Sequence, residues 1–401
     1  MFIRSTLICV ALLMPVAAAP AGAAEYDQGA DDDRILIGST QPYSGPASAY
    51  SAIGKAMSAY FDMRNADGGI NGRRIDFIVL DDGYSPPKTV EHVRRLVEHE
   101  KVLALFGNLG TPTNNAVQAY LNSRAVPHLF LTTGASNWNR AARYPWSIGF
   151  WPSYFTEAKI YARYILDTRP AGRIAVLYQN DDYGKDYLAG LKAGLGARAA
   201  DMIVATASYE VTDPSVDGLI VQLANSGADI FVDIATPKFA AQAIRQAYDS
   251  GWRPLHLLGN GSSSIEAVLK PAGLEKATGI VTAAYLKDPT DPAWHGDVEV
   301  IAWRDWMERF YPSGNPADMF NVYGYASAHL MAEVLARCGD DLTRANLLKQ
   351  ATSLTAVPVP MLLPGIAVTT GADDYRPIEL LQPMRFDGER WRALGGLIAA
   401  E

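Results

Sequence analysis

Short apolar runs alternate along the chain with stretches whose apolar residues recur every three or four positions. Ile35-Leu36-Ile37 is a run of the first kind. Residues 50–65 follow with Ile53, Met57, Tyr60 and Phe61 at helical spacing, and Asp67-Gly68-Gly69 ends the pattern. The same reading predicts strands over 75–80, 102–106 and 126–131, and helices over 88–100 and 113–124. The alternation restarts after Pro152. Helices are expected over 155–167, 187–195, 216–225 and 239–250, with strands over 174–178, 202–207, 230–234 and 255–258. Helices at 301–311 and 323–336 and strand signals at 365–370 and 378–386 complete the chain. Strand–helix alternation builds parallel sheets covered by helices on both faces, so an α/β protein with two doubly wound, Rossmann-like lobes is expected. In such sheets a ligand sits beyond the carboxyl ends of the strands. The loops at 41–50, 107–114, 132–138, 180–184, 235–238 and 259–264 are therefore the ones that can face a shared cleft.

The first 24 residues read differently. Arg4 precedes an apolar stretch from Leu7 to Leu13 and on to Val16, and the small residues through Ala23-Ala24 offer cleavage sites. That is the grammar of an export signal, and the apolar run before Pro15 is too short to span a bilayer. A soluble periplasmic protein is expected. Loss of Arg4, with no acid lost, takes the net charge from -8 to -9. Cys9 goes with the signal, which leaves Cys338 and no intrachain disulfide. Residues 25–33 are acidic and polar and read as a loose tail.

Composition excludes several classes. At 49% hydrophobic and 19% charged residues, the 401-residue chain is too apolar for disorder. Its acidic balance argues against nucleic acid as a partner. Two cysteines exclude a four-cysteine zinc site. No Gly-x-Ser-x-Gly elbow or His-Glu-x-x-His motif is present. His92 and His99 fall on a charged helix face and read as solvated, and Asp81-Asp82 and Asp373-Asp374 read as turn residues. No catalytic residue, metal or cofactor is expected. One loop carries recognisable chemistry. Gly107-Asn108-Leu109-Gly110-Thr111-Pro112-Thr113-Asn114 joins a strand to a helix, where free amides attract an anion and Thr111 and Thr113 add hydroxyls. Thr113 could instead simply cap the helix.

Four motifs in order carry a family likeness. They are Gly38-Ser39-Thr40-Gln41-Pro42-Tyr43-Ser44-Gly45-Pro46, Asn65-Ala66-Asp67-Gly68-Gly69-Ile70-Asn71-Gly72-Arg73, Pro127-His128-Leu129-Phe130-Leu131-Thr132-Thr133-Gly134-Ala135-Ser136 and Gln179-Asn180-Asp181-Asp182-Tyr183-Gly184-Lys185. Together they resemble the branched-chain amino acid-binding (leucine/isoleucine/valine-binding-like) group of periplasmic solute-binding proteins that serve ABC importers. The likeness runs from about residue 34 to 300 and is weaker beyond. It implies the type I periplasmic binding fold, a Venus-flytrap of two lobes joined by three hinge crossings, placed here near Phe150, Ala284 and Gly365. One lobe would hold 34–150 and about 285–364, the other 151–284 and about 365–401.

The likeness also implies roles. Thr111 would hold a ligand carboxylate, and Gly134 and Ser136 would meet the ligand's polar end. Tyr50 and Tyr183 would be aromatic walls, and Thr236 a further contact. Trp151 lies just past the first crossing, near the cleft. The bland readings are an ordinary turn for Gly134 and Ser136, helix-face packing for Tyr50 and core packing for Trp151. One departure stands out. Amino-acid binders of this group place an acid after the strand matching 255–258, to hold the ligand's ammonium. Here Gly259-Asn260-Gly261-Ser262-Ser263-Ser264 has none before Glu266. Either Asp181, Asp182 or Glu157 takes that task, or the ligand has no ammonium and is an aromatic carboxylate or amide. The implied protein is a monomer that delivers a small carboxylated solute to an inner-membrane permease and ATPase. The alternative is a sensing role with a signalling or chemotaxis partner.

Overall fold

The computed structural model of the protein describes residues 24–399. The export signal read in the sequence lies outside them, apart from Ala24. The first sheet is parallel and comprises β1 (Arg34–Gln41), β2 (Arg74–Asp81), β3 (Ala104–Phe106), β4 (His128–Leu131) and β5 (Ser147–Gly149). Its order is β2-β1-β3-β4-β5. The central strands β3 and β4 are buried throughout, as expected where helices cover both faces.

The second sheet repeats that order. It comprises β6 (Ile174–Gln179), β7 (Ile203–Tyr209), β8 (Ile230–Ile234), β9 (Leu255–Leu258) and β10 (Val281–Ala284). The parallel order β7-β6-β8-β9-β10 is extended by antiparallel β11 (Leu380–Phe386) and β12 (Trp391–Ala393). In both sheets the winding reverses between the first and third strands. Loops leaving the strands at such a switch point diverge and open a crevice. The loops after β1 and β3, and after β6 and β8, therefore define where a ligand can lie.

The chain crosses between the lobes more than once. It leaves the first sheet after β5, fills the second through β10, and then returns. Helices Val298–Phe310 and Met319–Cys338 pack on helix Ser51–Ala66 of the first lobe. The approach is close, since a Cβ on Gly324 would fall 2.5 Å from the Ile53 carbonyl oxygen. The chain re-enters the second sheet at β11.

Several expectations are corrected. Residues 25–33 are not a loose tail. Glu25–Tyr26 pairs in parallel with Asp341–Leu342, and buried Arg73 bonds the Asp31 carbonyl (3.0 Å) and the Asp340 carboxylate (2.8 Å). Residues 365–370 form no strand. Only an isolated bridge, Val357 to Val368, stands there. The helix expected from residue 187 spans Asp182–Leu195, because the Asp181 carboxylate accepts the Tyr183 and Gly184 amides and starts it early.

Candidate ligand cleft

The first-lobe wall begins at the turn after β3. Gly110 sits at φ 104°, and a Cβ there would meet the Tyr84 ring at 2.5 Å. Helix Thr111–Ser123 starts immediately after it, with no side chain capping its amides. Thr113 is not a cap. Its Oγ1 donates to the carbonyls of Leu109 (2.6 Å) and Gly110 (3.0 Å). The positive end of the helix dipole is thus left for an anion. Thr111 Oγ1 lies 2.7 Å from Thr133 Oγ1, which accepts from Trp138 Nε1 at 3.2 Å. When Thr133 gives its own proton to Thr111, the Thr111 hydroxyl hydrogen is free for a ligand oxygen.

Tyr50, Thr111, Trp151, Tyr183 and Thr236 line one cavity, with about 380 Å³ free of atoms. Tyr50 Oη donates across the cleft to the Gly261 carbonyl at 3.0 Å. Thr236 is held by Tyr209, whose hydroxyl accepts the Thr236 amide at 2.9 Å. Tyr183 packs edge-on to Tyr154, with ring centroids 4.9 Å apart. Sequence reasoning missed Tyr84, Thr132 and Tyr154, which line the same cavity. Tyr84 follows the turn Asp81-Asp82-Gly83 and takes a left-handed φ of 62° that is rare outside glycine. Burial raises the hydroxyl pKa values of Tyr50, Tyr84 and Tyr183, and pushes Tyr154 up to about 12. At neutral pH the walls are uncharged phenols with polar tips.

Gly134 and Ser136 do not line this cavity. The Gly134 carbonyl accepts the Tyr154 amide at 2.9 Å, and a Cβ on Gly134 would fall 2.0 Å from the Pro152 carbonyl oxygen. Glycine is needed there for close backbone approach. The Ser136 amide donates to Asp186 on helix Asp182–Leu195 of the second lobe. Beside it, Asp182 Oδ2 accepts from Asn115 Nδ2 (2.8 Å) and Asn137 Nδ2 (3.1 Å) of the first lobe. These contacts latch the lobes together at the cleft rim.

The cavity lining carries no acid. Asp181 is used on Gln179 Nε2 (2.6 Å) and on its helix amides. Asp182 belongs to the latch. Glu157 is fully buried and accepts from Tyr161 Oη (2.5 Å), Tyr187 Oη (2.7 Å) and the Asn260 amide (2.8 Å). Burial pushes its carboxyl up to about 7 against those hydrogen bonds. Among the described residues no group of three His, Cys, Asp or Glu side chains could hold a metal. Asp82 accepts from the Tyr84 amide and the Thr89 hydroxyl, a turn role.

Comparison with known proteins agrees with this architecture. A family model described as periplasmic binding protein matches residues 34–390. The Leu/Ile/Val-binding protein homolog 7 of Brucella abortus (strain 2308) is 25% identical over 358 residues, 85% of each chain. A branched-chain amino acid ABC transporter protein of Thermus thermophilus with bound valine superposes with a TM-score of 0.81 at 13% identity, covering 92% of this chain and 97% of the other. An ABC transporter solute-binding protein of R. palustris in complex with benzoate gives 0.75 at 20% identity, over 92% and 98%. Two lobes of identical winding, a cleft at both switch points and a match over most of the length lead to one conclusion: the chain belongs to the periplasmic binding protein family.

Proposed function

We propose that the protein is the exported receptor of an ABC-type importer and binds a small carboxylated solute between its lobes. The observation that carries this reading is the uncapped helix start at Thr111, with its Thr111–Thr133 hydroxyl pair, in an otherwise uncharged cavity. A carboxylate would take the Thr111 hydroxyl and the helix amides. The solute body would lie among Tyr50, Tyr84, Trp151, Tyr154 and Tyr183. The lack of an acid in the cavity disfavours an α-ammonium beside that carboxylate, because a buried ammonium needs a charged partner. An aromatic or aliphatic carboxylate without an α-ammonium fits better, and the benzoate complex of a relative with the same fold supports this choice. A solute that touches both lobes favours the closed form by its extra contacts there. Gly134 and Ser136 would then act indirectly, the first by placing Tyr154 and the second by latching the lobes. The permease and ATPase would recognise the closed form.

A thermal-shift screen of amino acids, aromatic carboxylates, fatty acids and amides tests the reading. Ligand at a hundred times Kd should add about 2.7 kcal/mol of stability. Carboxylates should raise the melting temperature more than their amides do. A panel in which no carboxylate shifts the transition would overturn the assignment.

A further inference from the structure

Behind Trp151 lies a second and larger chamber, of about 650 Å³, lined by residues of both lobes and the segment that joins them. It is walled by the aromatic rings of Trp151, Tyr285, Trp294, Phe320, Tyr323 and Trp391. Three buried polar atoms of its lining residues have no hydrogen-bond partner: Trp151 Nε1, Tyr285 Oη and Asp288 Oδ2. Buried polar groups are almost always paired, so a cluster of orphans around one cavity points to an absent partner.

Charge narrows what that partner is. Asp288 is 8% exposed, and its Oδ1 is taken by the Thr290 amide (2.8 Å) and hydroxyl (2.7 Å). No cation faces it. Lys287 is held by Asp297 (2.8 Å) and Glu299 (2.8 Å), and Asp291 is matched by Arg390 at 3.0 Å. Glu266, whose charge also reaches Asp288, pairs with Lys270. A buried carboxylate without a countercharge is costly. With Asp291 already paired to Arg390, the single unpaired carboxylate is a poor site for a hard metal ion, which needs several oxygens. The lining instead suits a cation with an apolar body, since aromatic faces attract cations and hydroxyl oxygens accept from N–H groups. Trp294 already carries the Lys287 ammonium at 5.4 Å from its ring centre.

We propose that the chamber behind Trp151 binds an organic ammonium ion with an apolar body, with Asp288 as its countercharge. The ammonium donates to Asp288 Oδ2 and to the Tyr285 hydroxyl, and its hydrocarbon lies against the rings. The chamber does not involve Thr111, so this assignment stands whether or not the cleft binds a carboxylate.

Titration of the full chain with phenethylammonium chloride, read by tryptophan fluorescence and calorimetry, tests it. Saturable binding is expected, with Asp288→Asn weakening it at least about tenfold, the usual scale for a charge-assisted hydrogen bond. Neutral 2-phenylethanol should bind far more weakly than the amine. Should Asp288→Asn fail to fold, Trp294→Leu should weaken the amine through its lost aromatic face. Equal affinity of amine and alcohol, or an amine affinity untouched by these substitutions, would overturn the proposal. A parallel titration with 6-aminohexanoate identifies the source of the ammonium. Loss of binding in both Thr111→Val and Asp288→Asn makes it the far end of the cleft solute, and loss in Asp288→Asn alone makes it a separate amine.

Discussion

Replacing Glu157 with glutamine should change how stability depends on pH. Glu157 lies wholly inside the second lobe, where Tyr161, Tyr187 and the Asn260 amide surround its carboxyl. Burial raises its pKa from 4.5 to about 7 in the folded protein. Unfolding returns it to about 4.3, the value of an exposed glutamate. Between those values the folded state holds a proton that the unfolded state has released. Stability from this group is therefore complete below the unfolded pKa, falls as pH rises through the window, and is gone above the folded pKa. A shift of about 2.7 units at roughly 1.4 kcal/mol each gives a full loss of about 3.7 kcal/mol, of which about 3 kcal/mol falls between pH 4.5 and 8. Glutamine keeps the shape and two acceptor bonds, and its amide can donate to Tyr187 Oη, but it does not titrate. Urea unfolding of both proteins at steps from pH 4.5 to 8 is the assay. The variant should gain about 3 kcal/mol on the wild type across that range, and the gap should level off above pH 7. Other acids, such as Asp181, cancel in the comparison. A gap that stays constant with pH would refute the claim that Glu157 is folded in its protonated form at mildly acidic pH.

Two further outcomes follow from the cleft and one from the first 24 residues. Gly134→Ala places a Cβ 2.0 Å from the Pro152 carbonyl oxygen, so it should lower the melting temperature and weaken solute binding together; an unchanged melting temperature would contradict the close approach. Asp182→Ala removes the latch bonds to Asn115 and Asn137. Two exposed hydrogen bonds of this kind are worth about 1–2 kcal/mol, so stopped-flow solute release should quicken about five- to thirtyfold with little change in the association rate. Expressed with its signal in a Gram-negative host, the periplasmic protein should begin at Ala24 or Glu25 by N-terminal sequencing; a chain beginning at Met1 would contradict export by cleavage.

Much of the architecture is written in local pattern. The apolar runs at β6, β8 and β9 are bounded by helices with clear periodicity, and the doubly wound lobes follow from their alternation. β10 and β12 carry little signal, because Val281-Thr282-Ala283-Ala284 and Trp391-Arg392-Ala393 each hold one large apolar residue where β8 and β9 hold several. The N-terminal residues misled for a different reason. Their acidity reads as a tail, yet two of them pair with a strand more than 300 residues away, and no local signal encodes that contact. The site divided in the same way. Thr111, Tyr50, Tyr183 and Thr236 sit at or beside the helix starts that follow β3, β1, β6 and β8, whose place at the switch points is set by topology. Gly134 and Ser136 lie on the loop after β4, one strand away from the switch point, and Pro152 and Asp186, which decide what they touch, lie elsewhere in the chain. Tyr84 and Tyr154 reach the cavity through tertiary packing alone.

The central claim is that Thr111 and its helix start bind a carboxylate. Calorimetric titration of the strongest carboxylate from the screen, beside its primary amide, against the wild type and Thr111→Val, addresses it most directly. The account predicts one site, with the carboxylate at least about tenfold tighter than the amide and a loss of that advantage in Thr111→Val. Equal binding of acid and amide, unchanged by the substitution, would contradict it.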